Sequence, residues 1–514
     1  MCIRDRALAV THPPAGNLGG GGFLLIRFAD GRSTFIDFRE RAPSRATRDM
    51  YLGASGNLIP EASTVGLRAS GVPGTVAGLE YASRKYGKLR WSRLVVRAVT
   101  LAKRGFPLSY ELARSLSHPR TVKLLERFPE SRRIFLRDGR YYQPGEVFRQ
   151  PDLARTLERI RRGGAREFYQ GRTAGMLAAF SEKNGGLIAV DDLKGYKVVE
   201  RRPITGAYRG YEITSAPPPS SGGVALLEML NILEGVPLAQ MGAYSADAMH
   251  WTVEAMRRAF ADRAQYLGDP DFARIPVQGL TDKKYAETLR ASIDPQRAGS
   301  SLKVRAGNPA PYESAQTTHL SVVDKDGNAA ALTYTLNGSY GCGVTAQGLG
   351  FLLNNEMDDF TSRPGAANKD GLMQGEANAI APGKRPLSSM TPTIVTRQGK
   401  LWLVVGSPGG ATIINTVLNV LLNMIDFRMN VQQAVDAARF HHQWLPDRIR
   451  IEPVGFSPDT LALLRARGHQ IQAGESTSPD SDFRIGDAHA IAITPDGTRL
   501  GAADPRRGGK AVGY

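Results

Sequence analysis

Cysteine is nearly missing from this chain, with two residues, Cys2 and Cys342, among 514. They form no C-x-x-C pattern, which argues against zinc fingers and a disulfide framework. No stretch approaches the ~18–20 apolar residues that a membrane-spanning helix needs. Aromatics are only 8%, and none is interleaved with the basic run Glu158-Arg159-Ile160-Arg161-Arg162 to stack nucleic-acid bases. That run reads as a solvated helix face. Histidine is scarce too. The adjacent pair His441-His442 and the single His319 lack the i,i+4 spacing of a helical zinc pair, so they read as structural. No internal repeat is visible, and no low-complexity segment is long enough to link separate domains.

What is present is ordinary globular composition, 42% apolar and 22% charged, which excludes a disordered chain or a fibre. The length allows one large α/β body or two to four smaller domains. Lys and Arg number 66 against 49 acidic residues, for a net charge of +17. Arg supplies 51 of the 66, a bias that GC-rich coding produces without a ligand. The charge by itself admits nucleic acid, an anionic surface or only a basic proteome. Met1–Arg6 runs directly into Ala7-Leu8-Ala9-Val10 and Pro13, like the end of an apolar helix stopped by proline. We expect a truncated start with a non-native leader over residues 1–6.

Further along, Phe23–Phe28 and Ser33–Phe38 flank Asp30-Gly31 and predict a hairpin. The glycines at Gly16–Gly22 lack G-K-[ST] and lead into a strand, so they are no phosphate loop. From about Gly71 to Arg172 the pattern is mainly helical. Pro217-Pro218-Pro219-Ser220-Ser221-Gly222-Gly223 is a rigid turn into another helix, and helical patterning continues through Ala246–Ala264. Residues Val304–Gln316 form an extended polar linker. The period then changes to strand at Thr317–Val323, turns at Asp324–Asn328, and returns along Ala329–Thr335. A turn centred on Asp326 makes paired positions sum to 652 and sets Thr317 opposite Thr335; a two-residue Asp326-Gly327 turn shifts this by one.

Gln316-Thr317-Thr318-His319-Leu320-Ser321-Val322-Val323-Asp324 resembles the autoprocessing junction of the γ-glutamyltransferases, a family of the N-terminal-nucleophile hydrolase superfamily. Further motifs agree in order: Asp37-Phe38-Arg39-Glu40, Gly71-Val72-Pro73-Gly74-Thr75, the Pro217–Gly223 turn, and Leu353-Asn354-Asn355-Glu356-Met357-Asp358-Asp359-Phe360. Arg385–Pro392, Gly406-Ser407-Pro408-Gly409-Gly410 and Phe440–Trp444 complete the series, so the resemblance runs from about Ala7 to Tyr514. It implies an α+β fold, a four-layer αββα sandwich with two antiparallel sheets between helical layers. It also implies cleavage between Gln316 and Thr317 into a large segment, 1–316, and a small catalytic segment, 317–514, that stay interlocked as a heterodimer.

The chemistry suits the residues. A threonine hydroxyl is a poor nucleophile unless a base adjoins it, and a terminal α-amine with pKa near ~7.7–8.0 supplies one on the same residue. By resemblance Thr317 attacks γ-glutamyl amides such as glutathione, and water, amino acids or peptides accept the acyl group. The resemblance also implies that Thr335 orients Thr317 and that Gly409 and Gly410 form the oxyanion hole. Arg39, Ser388 and Ser389 hold the donor's α-carboxylate, while Asn337, Glu356 and Asp359 hold its α-ammonium. No cofactor and no metal is implied, nor a nucleic-acid partner or a membrane span, and the site of action is periplasmic or secreted. Between Pro364 and Gly375 runs the family's lid loop, with Asp370 where some bacterial members place a tyrosine. Cys342, in Gly341-Cys342-Gly343, reads as packing.

Two rivals stand beside this reading. One is a glutaryl-cephalosporin acylase on the same scaffold, against which Asp359 argues, because an acid suits an α-ammonium. The other is a basic, non-catalytic nucleic-acid-binding protein. From Thr317 onward there are 18 basic and 18 acidic residues, so the whole +17 lies on 1–316.

Overall fold

The computed structural model describes residues 2–312, 324, 326–473, 484–507 and 509–512, with backbone alone for 2–6. The junction residues Gln316 and Thr317, and with them His319, lie outside the described residues. The first helix, α1 (Cys2–Thr11), ends before Pro13 and buries Ala9 and Val10. Strands β1 (Gly21–Arg27) and β2 (Ser33–Phe38) then form the expected hairpin, antiparallel with Leu25 opposite Phe35. Its apolar run is buried on both faces, as a strand between two layers requires.

A helical stretch follows with α2 (Thr75–Tyr86), α3 (Trp91–Arg104) and α4 (Pro151–Gln170). Leu94 and Ala98, four apart, put one buried stripe on α3. The stretch is interrupted by a small two-stranded sheet, Phe106–Pro107 with Val147–Phe148. On α4, Arg161 and Arg162 ion-pair with Glu158 at 2.7 and 2.6 Å while Ile160 is buried, so the basic run is a solvated face over an apolar one.

Strands β3 (Val199–Arg201), β4 (Ile204–Tyr208) and β5 (Tyr211–Ser215) precede α5 (Gly222–Glu234) and α6 (Ala246–Tyr266). The remaining parts used below are β6 (Ala329–Thr335), β7 (Thr393–Arg397), β8 (Lys400–Gly406), α7 (Ile413–Ile425), β9 (His489–Ile493) and β10 (Arg499–Ala503).

These strands make two antiparallel sheets, in the orders β3-β2-β1-β6 and β10-β9-β8-β7-β5-β4. Their inner faces meet over a core that includes Phe23, Phe35, Ile394 and Val404, with Phe23 and Phe35 stacked 5.2 Å apart. Neighbouring positions Val395, Leu403 and Val405 turn the other way, into the largest core, against α5, α6 and α7. Period-2 alternation thus separates a sheet–sheet layer from a sheet–helix layer. On the far side α2 packs on β2, and Gly78 takes the Phe38 ring where any Cβ would collide with it. The order helix, sheet, sheet, helix is the four-layer sandwich. Both sheets draw strands from either side of position 316. Among the described residues no helix is long and apolar enough to cross a membrane.

The Asp324–Asn328 turn is present. Asp324 N–H bonds to the Asn328 carbonyl, and Gly327 N donates to the Asp324 carbonyl at 3.1 Å. Residues 324 and 328 sum to 652, the register of a turn centred on Asp326. The other flank of the turn lies outside the described residues, while the flank that is seen, β6, pairs with β1, setting Thr335 opposite Gly21.

Candidate active site

The glycine-rich approach to β1 explains the place of Thr335. A Cβ at Gly20 would overlap the Thr335 carbonyl oxygen, and one at Gly22 the Thr333 carbonyl. Asn17 seals the contact, donating to the Thr335 carbonyl at 2.9 Å while its Oδ1 accepts from Gly20 N and Thr75 Oγ1. The glycines are therefore for close backbone packing. The Thr335 hydroxyl, half-buried at the strand end, accepts from Asn337 N at 2.9 Å, so its own proton is left for another acceptor.

Arg39 leaves the end of β2 fully buried. Its Nε donates to the Pro386 carbonyl at 3.1 Å, and Nη2 to the Leu387 carbonyl at 3.3 Å. Nη2 also pairs with Asp359 at 2.6 Å, Nη1 pairs with Glu356, and Glu40 stands 3.7 Å away. Burial opposes the guanidinium charge, yet the three carboxylates outweigh it and raise its pKa. The acids respond in turn. Burial lifts Glu40 to about 7 and Glu356 well above its ordinary value, and the Arg39 charge only partly offsets this. Glu356 and Asp359 share one short helical turn, held because Asn354 Oδ1 accepts from Glu356 N at 3.0 Å while its amide nitrogen binds the Gly19 and Gly71 carbonyls. Asn337, in the left-handed region at φ +70°, reaches the Asn355 carbonyl at 3.1 Å and Asp359 at 3.5 Å.

Ser388 and Ser389 enter from the loop before β7. Ser221 clamps the Ser388 carbonyl with its N–H at 2.8 Å and its hydroxyl at 2.6 Å. The Ser389 hydroxyl accepts from Arg263 Nη2 at 3.3 Å. Gly409 and Gly410 begin the turn into α7 at φ +141° and +58°, and the Gly409 carbonyl accepts from Thr412 Oγ1 at 2.8 Å. At the start of a helical turn their N–H groups have no intrahelical acceptor, which suits them to an oxyanion. Asp370 lies directly over this turn, its Oδ2 2.7 Å from where a Gly410 Cβ would stand, and Lys369 Nζ holds that carboxylate at 2.9 Å.

The structure thus brings Arg39 together with Asn337, Glu356 and Asp359, and sets Thr335 two residues before Asn337. It ties Ser388 and Ser389 to Ser221 and Arg263, and puts Asp370 of the 364–375 loop against Gly410. Sequence reasoning gave no role to Arg263, Glu40 or Ser221. Ser221 and Glu40 lie in family-like motifs, so both carried a signal; Arg263 carried none, being one of three buried arginines on α6.

Cys342 and the pair His441-His442 are packed and bonded within the fold. Cys342 is buried and its thiol is pushed up to about 12 by burial. His441, lowered to about 3 by burial, bonds to Asn415 and Gln443. His442 instead meets Trp444 N and Asp447, so the two rings do point apart. A third group, His250, Glu254 and His469, brings metal-type donors within 4.8 Å among the described residues. Most of its donors are engaged: His250 Nδ1 and His469 Nε2 bond each other at 2.8 Å, and Arg257 and Arg258 pair with Glu254 at 3.2 and 2.7 Å, while His469 Nδ1 is buried without a partner among the described residues.

The γ-glutamyltranspeptidase family profile matches residues 5–514. The chain belongs to the γ-glutamyltranspeptidase family. A glutathione hydrolase proenzyme of Escherichia coli (strain K12) is 51% identical over 500 residues, covering 97% of this chain and 84% of the relative. Among solved structures, Helicobacter pylori γ-glutamyltranspeptidase is 42% identical with a TM-score of 0.58, covering 60% of this chain and 87% of that one. The cephalosporin acylase from Bacillus halodurans is 27% identical with a TM-score of 0.86, covering 100% and 90%. The sandwich is therefore that of the N-terminal-nucleophile hydrolases, and this γ-glutamyltranspeptidase family member shares it with an acylase.

Proposed function

We propose that the chain is the precursor of a γ-glutamyltransferase with glutathione hydrolase activity, cut between Gln316 and Thr317. The observation that carries the reading is a buried cluster with both signs of charge, Glu356 and Asp359 around Arg39 and the serines beside Arg263, beyond the end of the strand bearing Thr335. A γ-glutamyl group has an ammonium and a carboxylate on one carbon, so its site must offer both signs. Closure of Asp324 on Asn328 supports a register that carries Thr317 to Thr335.

In maturation the Thr317 hydroxyl attacks the Gln316 carbonyl. The peptide C–N bond breaks, an ester forms, and the freed α-amine takes the proton. Water opens the ester, leaving Gln316 as a carboxylate and Thr317 as a new N-terminus. In catalysis that amine accepts the Thr317 hydroxyl proton as the oxygen attacks the donor's γ-carbonyl, and returns it to the leaving amine. Thr335 orients Thr317. The N–H groups of Gly409 and Gly410 bind the oxyanion. Ser388 and Ser389 receive the α-carboxylate with Arg39, and Asn337, Glu356 and Asp359 receive the α-ammonium. Water or the amine of an amino acid or peptide then resolves the acyl-enzyme. The small-molecule substrates are glutathione and related γ-glutamyl compounds, and the enzyme acts in the periplasm or outside the cell.

Intact mass spectrometry tests maturation, with two chains expected and the smaller beginning at Thr317. Turnover of γ-glutamyl-p-nitroanilide against a glutaryl-cephalosporin tests the chemistry. Turnover of the cephalosporin alone would overturn the assignment in favour of an acylase. A single intact chain with tight, salt-dependent DNA binding would favour the nucleic-acid rival.

A further inference from the structure

Arg263 stands out because its charge is left unneutralised. It sits in the last turn of α6, 2% exposed. Its Nε donates to Ser221 Oγ at 2.9 Å and its Nη2 to Ser389 Oγ at 3.3 Å, while Nη1 is buried without a partner among the described residues. Neither partner is an anion, and Asp359 and Asp370 act on it only from a distance. Burial consequently pulls its pKa down to about 10. Arg39 is the opposite case, a buried guanidinium surrounded by Glu356, Asp359 and Glu40. An uncompensated buried cation is costly, and removing its counter-charge is what makes a buried pair expensive to break.

We propose that Arg263 is the positioning residue for the donor's α-carboxylate, acting through Ser389 and Ser221 and adding positive charge to that of Arg39, which three carboxylates surround. The inference rests on the acyl-donor pocket proposed above and adds a residue to it. The mechanism follows from donor counting. A guanidinium only donates, so the Ser389 oxygen that accepts from it must turn its own proton outward. That proton is then aimed at an incoming carboxylate. Ser221 works similarly: its oxygen accepts from Arg263 Nε, so its proton goes to the Ser388 carbonyl at 2.6 Å, which fixes the backbone carrying both serines. The proposed site then has two ends, with Glu356 and Asp359 facing the ammonium and Arg39 together with the Arg263–Ser389 pair facing the carboxylate.

Three anilides separate this role from a structural one. γ-Glutamyl-p-nitroanilide has both α-groups, glutaryl-p-nitroanilide keeps only the carboxylate, and 4-aminobutyryl-p-nitroanilide keeps only the ammonium. In the processed enzyme Arg263→Gln should lower kcat/KM about 10- to 100-fold on the two carboxylate-bearing substrates, mostly through KM. On the 4-aminobutyryl substrate the change should stay within about 3-fold, and Arg263→Lys should recover part of the loss by keeping the charge. Equal losses on all three would overturn the proposal, as would no loss on any. Should Arg263→Gln not mature to two chains, Arg263→Lys is assayed alone, and the same selective loss, at smaller size, is required. A wild-type enzyme inactive on γ-glutamyl-p-nitroanilide would refute the γ-glutamyl reading itself, a result distinct from an active enzyme indifferent to Arg263.

Discussion

Asp359→Asn isolates the proposed ammonium contact from the rest of the pocket. Asp359 Oδ2 lies 2.6 Å from Arg39 Nη2, and its Oδ1 faces Asn337 at 3.5 Å and Asn368 at 3.4 Å. Asparagine keeps the shape and one acceptor oxygen, removes the charge and turns the other oxygen into an NH2 donor. Breaking a fully buried pair costs about 3–5 kcal/mol. Here Arg39 retains Glu356 and two carbonyls, and the Asp359 side chain is 15% exposed. The stability loss should therefore be about 1–2 kcal/mol, small enough for the enzyme to fold and mature. Donor recognition loses a charge-assisted contact of about 2–3 kcal/mol, or about 30- to 150-fold in kcat/KM on γ-glutamyl-p-nitroanilide. Glutaryl-p-nitroanilide has no ammonium, so its kcat/KM should hold or rise, since Arg39 is then less neutralised toward carboxylates. Steady-state kinetics on the two substrates, with intact mass as the control for processing, reads the difference. A fall of equal size on both would refute the reasoning, because it would make Asp359 a support for the fold and nothing more.

Thr317→Ala should leave one uncleaved chain by intact mass and no anilide turnover; two chains would place the cut elsewhere. Gly409→Ala meets a positive φ of 141° and a Cβ 2.6 Å from Thr412 Oγ1, so kcat should fall about 100-fold or more with KM little changed; wild-type kcat would remove Gly409 from the oxyanion hole. Glu40 is raised from 4.5 to about 7, so between those values the folded chain binds a proton that the unfolded chain has released. Its contribution is complete below pH 4.5 and is lost as pH rises to about 7, by about 1.4 kcal/mol per pH unit, and Glu40→Gln should flatten that slope in urea unfolding. An unchanged slope would assign the proton to another group.

Local pattern made the β1–β2 hairpin legible, because its strands alternate about Asp30-Gly31, and the Pro217–Gly223 turn announced α5. The pairing of β6 with β1 was not legible. It depends on the missing Cβ atoms of Gly20 and Gly22, and a glycine run in a sequence does not say which backbone comes close. The same holds for Arg39. Its partners Glu356 and Asp359 lie more than three hundred positions away, so only the resemblance to the family could connect them, and the ion pairs now give that connection a physical form. Arg263 was invisible for another reason. On α6 it follows Arg257 and Arg258, all three buried, so neither charge nor period distinguishes the one without a carboxylate from the two that pair with acids. Only coordinates tell a satisfied buried arginine from an unsatisfied one.

The uneven charge of the sequence gains a different meaning from this arrangement. The +17 lies on residues 1–316, yet the ion pairs of the site cross the proposed cut: Arg39 and Glu40 come from one side, Glu356 and Asp359 from the other. The same division recurs away from the pocket, where Arg257 meets Asp447 and Asp37 meets Arg385 at 3.2 Å. Strand pairing follows it too, since β1 holds β6, and β5 holds β7. Cleavage after Gln316 would remove one peptide bond and none of these contacts. Separating the two segments would instead expose both sheets and strand buried charges on each side, which is far more costly than keeping them together. A fold whose catalytic charges are shared between segments can thus release a chain terminus at its nucleophile without loosening the site that the terminus serves.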